Sequence, residues 1–148
     1  MSDDVGILEL GSYKLKFDRN IFSGFVLKQS LPNVMYINKK MDAKNIAVIS
    51  ICNYDAAKVG LSYILSDIDR EFGITNIVAN PMLVNEKLGD NVWHVYRITA
   101  GKLSHINLWI LKLDDEFMVQ VMAIFSNTED PIYSQIREMI AGIEIETP

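Results

Sequence analysis

Three consecutive segments in the second half of the chain alternate between apolar and polar positions with the period of two that is typical of β-strands. The segments are Asn91–Thr99, Ser104–Leu113 and Glu116–Ser126. The dipeptides Ala100-Gly101 and Asp114-Asp115 separate them, and we interpret each as a two-residue hairpin turn. The pattern therefore predicts an antiparallel three-stranded meander.

These turns fix the register of the meander and so the composition of its two faces. Leu108 would pair with Trp93 and Val121, which makes one face almost wholly apolar and suited to packing against a helix. The other face mixes aromatic, thioether and hydrogen-bonding side chains, namely His94, Tyr96, His105, Asn107, Trp109, Met118, Gln120 and Met122. This mixed face is either a second core layer or a groove for a partner segment, because Trp and Tyr are frequent at interfaces and Met adapts to varied surfaces.

The run Ile46–Cys52 is apolar at both odd and even positions, which predicts a central strand covered on both faces. After this run the hydrophobic period changes to that of a helix. Asp55 is a candidate N-cap and Gly73 a candidate C-cap for a helix over Asp55–Phe72. Its apolar stripe consists of Ala57, Leu61, Ile64, Leu65, Ile68 and Phe72. We expect this helix to lie on the apolar face of the meander through Leu61, Ile64, Leu65 and Ile68.

The remaining segments add strands before this helix, an edge strand after it and a second helix. Gly11 either bends one strand or separates two. The segments that flank Pro81 are either two short strands or one bent edge strand, because proline cannot donate to a central ladder. A second helix begins at Asp130-Pro131 and ends near Gly142. The predicted strands are Val5–Leu10, Ser12–Phe17, Gly24–Gln29, Val34–Asn38, Thr75–Ala79 and Met82–Glu86, and the stripe of the second helix is Ile132, Ile136, Met139, Ile140 and Ile143.

Strand runs interrupted by helices predict the fold class α+β, a sandwich built on a mainly antiparallel sheet with two helices in the order βββ(β)-α-β-βββ-α. The chain has 148 residues, which suits one domain with a substantial core. We find no linker and no repeat that would divide residues 1–148.

Charge and hydropathy exclude several classes of function. The net charge is −5 and the basic residues are scattered, which argues against nucleic-acid binding. No apolar run reaches the roughly 18 residues of a membrane span, and the acidic start Met1-Ser2-Asp3-Asp4 does not resemble a secretory signal. Cys52 is the only cysteine, so an intrachain disulfide is impossible. A cytoplasmic protein is the simplest interpretation.

No catalytic or metal-binding motif is present. His94 and His105 are the only histidines, and a protein zinc site normally requires a third ligand. Ser104 and His105 are strand neighbours that point to opposite faces, so they cannot form a catalytic dyad. We therefore expect no metal, no cofactor and no enzymatic activity.

The order of the predicted elements, with a late meander and a short final helix, resembles the PsbP-like superfamily. Two segments carry the resemblance: Phe117–Ala123 in the meander and Ile136–Ile145 at the end of the chain. The resemblance implies an α+β sandwich that binds other proteins and lacks catalytic residues. A bacterial branch with DcrB and the type VI secretion effector chaperones fits a small chain best, and it implies an apolar client segment on the mixed face.

The sequence thus favours a non-catalytic protein-binding module, with an apolar or amphipathic segment of a partner protein on the mixed face. It leaves open a homodimer and an immunity protein that blocks a toxin. A small-molecule or lipid carrier, or an enzyme, would instead use a pocket between sheet and helix lined by His94, Tyr96 and His105.

Overall fold

The computed structural model describes residues 5–22, 25–39, 45–53, 82–100, 104–125 and 131–147. The predicted helix Asp55–Phe72 and the predicted strand Thr75–Ala79 lie outside the described residues. Ten strands, one α-helix and the short 3-10 helix Arg19–Phe22 make up the described part of the chain. The strands are β1 Val5–Leu10, β2 Tyr13–Asp18, β3 Phe25–Leu31, β4 Val34–Lys39, β5 Asn45–Asn53, β6 Met82–Leu88, β7 Asn91–Ala100, β8 Ser104–Lys112, β9 Phe117–Phe125 and β10 Glu144–Glu146, and the helix is α1 Pro131–Ala141.

The strands form two antiparallel sheets within the described residues. The large sheet has seven strands in the order β3-β4-β5-β9-β8-β7-β6, and the small sheet has three in the order β1-β2-β10. Strand β5, which the apolar run Ile46–Cys52 predicts as central, lies between β4 and β9. Strand β6 is at the edge of the large sheet among the described strands, while Pro81 and the segment before it lie outside the described residues.

The predicted fold class is wrong in its helix content. Among the described residues the protein is a sheet-rich α+β fold with one α-helix, not an arrangement with two. The N-terminal hairpin does not extend the large sheet, because β2 pairs with β10 from the end of the chain. Its buried side chains Leu8, Leu15 and Phe17 pack instead against the large sheet and form a second layer.

Helix α1 completes this second layer beside the small sheet. Its apolar stripe is buried as predicted, with Ile132, Ile136, Met139 and Ile140 each at most 2% exposed. On the flank of the helix, Arg137 forms an ion pair with Glu86 of the edge strand β6 and lies 5.6 Å from the Tyr133 ring centroid. The helix is therefore anchored both to the core and to the edge of the large sheet.

The predicted register of the meander is wrong on both sides of β8. Trp109 pairs with Val95 on β7 and with Val121 on β9, whereas the two-residue turns would have placed Leu108 opposite Val121. The second turn is longer than predicted because the Asp114 carboxylate accepts hydrogen bonds from the backbone N–H groups of Glu116 and Phe117. Each pairing is shifted by an odd number of residues. The side chains of β8 therefore point to the opposite faces from those predicted, whereas the side chains of β7 and β9 keep their predicted faces.

Candidate functional site

The reversal of β8 divides the predicted mixed face between the two faces of the large sheet. His94, Tyr96, Met118, Gln120 and Met122 remain together on the face that points away from the small sheet. Asn107 and Trp109 belong to the opposite face, which carries the core, and His105 pairs with Thr99 and Phe125 in the same ladder. The structure therefore does not bring the eight predicted binding residues together on one surface.

Trp109 is fully buried in the core beneath α1. Its ring centroid lies 6.5 Å from that of Tyr133, which in turn lies 4.8 Å from that of Phe125. Asn107 is also buried, at 4% exposed. Neither residue is accessible to a partner in this structure, which corrects their expected placement on an open groove.

The five residues on the outer face are accessible to different degrees. His94 is exposed, and its Nδ1 lies 2.8 Å from Oδ1 of Asn85 on the edge strand. Met118 and Gln120 are buried, and the Cys52 thiol lies 3.5 Å from Oε1 of Gln120. Burial raises the pKa of this thiol and keeps it protonated. A role for this face in partner binding remains a prediction.

The open face of the small sheet is a second surface, one that the sequence did not reveal. Alternate side chains of β1, β2 and β10 point away from the core, as the alternating burial of these strands shows. We call this the small-sheet face; it consists of Val5, Ile7, Glu9, Lys14, Lys16, Asp18, Glu144 and Glu146. Val5 and Ile7 are each 37% exposed, so β1 presents two neighbouring apolar side chains to solvent.

The turn between β3 and β4 extends the apolar part of this surface. The Glu9 backbone N–H donates to the Pro32 carbonyl at 2.8 Å, and the Gln29 side chain donates to the Ile7 carbonyl at 3.1 Å. These bonds hold the turn against the outer edge of β1. Leu31, which is 56% exposed, therefore lies beside the strand that carries Val5 and Ile7.

Charged side chains share the small-sheet face with its apolar residues. Lys14 pairs with Glu9 at 3.3 Å, and Lys16 pairs with Glu146 at 2.8 Å. The Lys16 ammonium donates a hydrogen bond that holds the pKa of Glu146 below its usual range. Apolar residues within a polar rim are characteristic of protein interfaces.

The described residues contain no other obvious site. No group of three His, Cys, Asp or Glu side chains among them is arranged to bind a metal ion. No helix in the same parts of the chain is long and apolar enough to cross a membrane.

These features define a class of protein: a sheet-rich α+β sandwich whose second layer, in the described parts of the chain, is built from a three-stranded sheet and one helix. The chain is similar in fold to the Saccharomyces cerevisiae Ran-binding protein Mog1p, known from a crystal structure at 1.9 Å resolution. The similarity has a TM-score of 0.51 and covers 95% of this chain and 94% of Mog1p, at 10% sequence identity. Such a likeness shows a shared fold alone. No family model matches the chain, and no curated protein matches its sequence.

Proposed function

We propose that this protein is a non-catalytic binding module that presents its small-sheet face to another protein. The observation that carries the proposal is the exposure of three apolar side chains, Val5 and Ile7 on β1 and Leu31 in the turn bonded to β1, with the Lys14–Glu9 and Lys16–Glu146 ion pairs on the same face as Val5 and Ile7. The shared fold with a protein described as Ran-binding supports a role in protein binding. It does not identify the partner.

A finer proposal follows from the PsbP-like resemblance of the sequence. In it, the module is a bacterial chaperone for type VI secretion effectors, and an apolar or amphipathic segment of the client covers Val5, Ile7 and Leu31. The chaperone and the general module differ only in the identity of the partner, which the following experiment determines.

A photo-crosslinking amino acid replaces Ile7 in one variant and Val92 in another, and each is expressed in the native host. Val92 is a matched control because it is exposed but lies on the large sheet. We expect a specific protein adduct from position 7 and none from position 92, and mass spectrometry then identifies the partner. No adduct from position 7, or the same adducts from both positions, would contradict the proposal.

Calorimetric titration of the purified partner tests the same surface quantitatively. The double variant Ile7→Ser/Leu31→Ser should weaken binding at least about tenfold, equal to about 1.4 kcal/mol. The control variant Val26→Ser removes a valine that is as exposed as Ile7 but lies on the face of the large sheet that points away from the small sheet. It should leave the affinity unchanged. Equal affinities for the double variant and the wild type would refute the proposed surface.

A further inference from the structure

A groove opens at one end of the small-sheet face, where β2 ends and the C-terminal end of α1 approaches it. Its volume is about 390 Å³, which lies within the range of small-ligand sites in proteins. Seven residues line it: Val5, Lys16, Phe17, Asp18, Asn20, Gly142 and Glu144. The groove adjoins the exposed apolar side chains of β1, because Val5 is one of them and also lines the groove.

The charged groups of the groove are not balanced. Lys16 is its only cation, and its ammonium already binds the Glu146 carboxylate at 2.8 Å. Asp18 and Glu144 form no ion pair with any described residue. Asp18 accepts only the backbone N–H of Asn20, at 2.9 Å. Lys16 also lies opposite Glu144 in the ladder and attracts its carboxylate, so one ammonium is shared by Glu146 and Glu144, and Asp18 has no cationic partner among the described residues.

Part of the groove lining is apolar. Val5 and Phe17 line one part of the groove, and Gly142 adds no side chain to another. A long aliphatic stem can lie along such a wall while its charged end reaches the carboxylates. Lys and Arg side chains have this construction, because they bury their methylene groups and keep the cationic head in a polar environment. An anionic side chain in the same position would be repelled by the carboxylates of Asp18 and Glu144.

We propose that the groove receives a lysine or arginine side chain from the partner segment that covers the small-sheet face. This inference rests on the proposed function and adds the chemistry of the partner: a cationic residue beside an apolar stretch. The carboxylates of Asp18 and Glu144 bind the cationic head, and Val5 and Phe17 contact its stem. Because the carboxylates are near solvent, the interaction weakens as ionic strength rises.

The groove is tested first with a fragment, by titrating the ¹⁵N-labelled protein with Nα-acetyl-arginine N-methylamide and recording backbone amide shifts. The neutral control is the same amide of citrulline, which has nearly the same shape. We expect the arginine amide to cause saturable shifts around Asp18, Asn20 and Glu144. We expect the citrulline amide to bind at least about fivefold more weakly than the arginine amide. Equal binding of the two amides, shifts confined to other regions, or no saturable shift would overturn the proposal.

Variants separate the groove from its surroundings. Asp18→Asn/Glu144→Gln removes both charges, and the asparagine keeps an oxygen that can accept from Asn20. This double variant should bind the arginine amide no better than the citrulline amide. Glu9→Gln is the matched control, because Glu9 lies on the same face but outside the groove and pairs with Lys14. An equal loss of arginine binding in the control would mean that general surface charge is responsible.

The same variants, assayed with the crosslinked partner, distinguish failure of this inference from failure of the proposed function. A complex weakened by Ile7→Ser/Leu31→Ser but not by Asp18→Asn/Glu144→Gln overturns the inference and leaves the function intact. A complex weakened by neither pair overturns the proposed function. Weakening by both pairs, with the groove effect reduced at high salt, supports both.

Discussion

Trp109 illustrates how the length of a turn decides which side of a sheet a residue occupies. A two-residue turn at Asp114-Asp115 would have placed it among the groups of the mixed face. The hydrogen bonds that Asp114 accepts from Glu116 and Phe117 lengthen the turn and move the pairing by one residue. The side chain then lies in the core against Tyr133. Its contribution should therefore be to stability.

We expect Trp109→Ala to lower the free energy of unfolding by about 3–5 kcal/mol, because it removes a fully buried aromatic side chain. Urea unfolding followed by far-ultraviolet circular dichroism measures this change. Val92→Ala is the control; Val92 is 55% exposed, so the loss should stay within about 0.5 kcal/mol. A loss below about 1 kcal/mol for Trp109→Ala would instead place the ring at the surface.

At the residue scale, the small-sheet face could not be predicted, and only part of the mixed face could. Strand β1 is apolar on both parities, with Ile7 exposed and Leu8 buried, so its pattern cannot tell which side faces solvent. The groove could not be predicted from the sequence either, because it brings together Asp18 and Glu144, which are far apart along the chain. His94 and Tyr96 kept their predicted face since that assignment needed only the pattern of one strand.

At the scale of elements, the turn between β6 and β7 fits closely against the end of α1. Gly89 has a φ of +64°, and a Cβ atom there would collide with the carbonyl oxygen of Ala141. Gly11, in the turn between β1 and β2, has a similar φ of +59° but open space around it. The two glycines therefore separate the cost of a left-handed backbone from the cost of a steric collision.

We expect Gly11→Ala to cost about 1–2 kcal/mol of stability, the usual penalty of a left-handed conformation for a residue with a Cβ atom. Gly89→Ala should cost at least about 1 kcal/mol more, because the added methyl group must displace the end of α1. Parallel urea titrations of the two variants measure the difference. Equal losses would show that the turn is not in contact with the helix.

The elements themselves were the most predictable level of the structure. The stripe from Ile132 to Ile140 identified α1 and its buried face, and the apolar run Ile46–Cys52 identified the centre of the large sheet. The assignment of strands to two sheets was not predictable, because Tyr13–Asp18 and Glu144–Glu146 carry no local signal that they pair. Pairing between distant segments is decided by the packing of the whole chain.

For the whole molecule, the shared core predicts that the two sheets unfold together. Leu8, Leu15 and Phe17 of the small sheet belong to the same cluster of buried residues as Trp93 and Trp109 of the large sheet. The small sheet has no tryptophan, so the fluorescence of the protein reports the large sheet alone. A change in one sheet can thus be observed from the other.

Leu15→Ala should lower the stability that tryptophan fluorescence reports by about 2–5 kcal/mol, because Leu15 is fully buried between the layers. The control Lys14→Ala alters the next residue on the solvent side and should change stability by less than about 1 kcal/mol. An unchanged fluorescence transition in Leu15→Ala, with altered circular dichroism, would show that the small sheet unfolds independently.

The pairing of β2 with β10 has a consequence for biosynthesis. The ribosome finishes β2 at Asp18, yet the strand that completes its sheet, Glu144–Glu146, is made much later. Strand β5 likewise remains without its partner β9 until that strand has been synthesised. Such distant pairings give the fold a high contact order and slow its formation. Until β9 and β10 are made, the nascent chain therefore carries unpaired strand edges, and during that period aggregation and chaperone capture compete with folding.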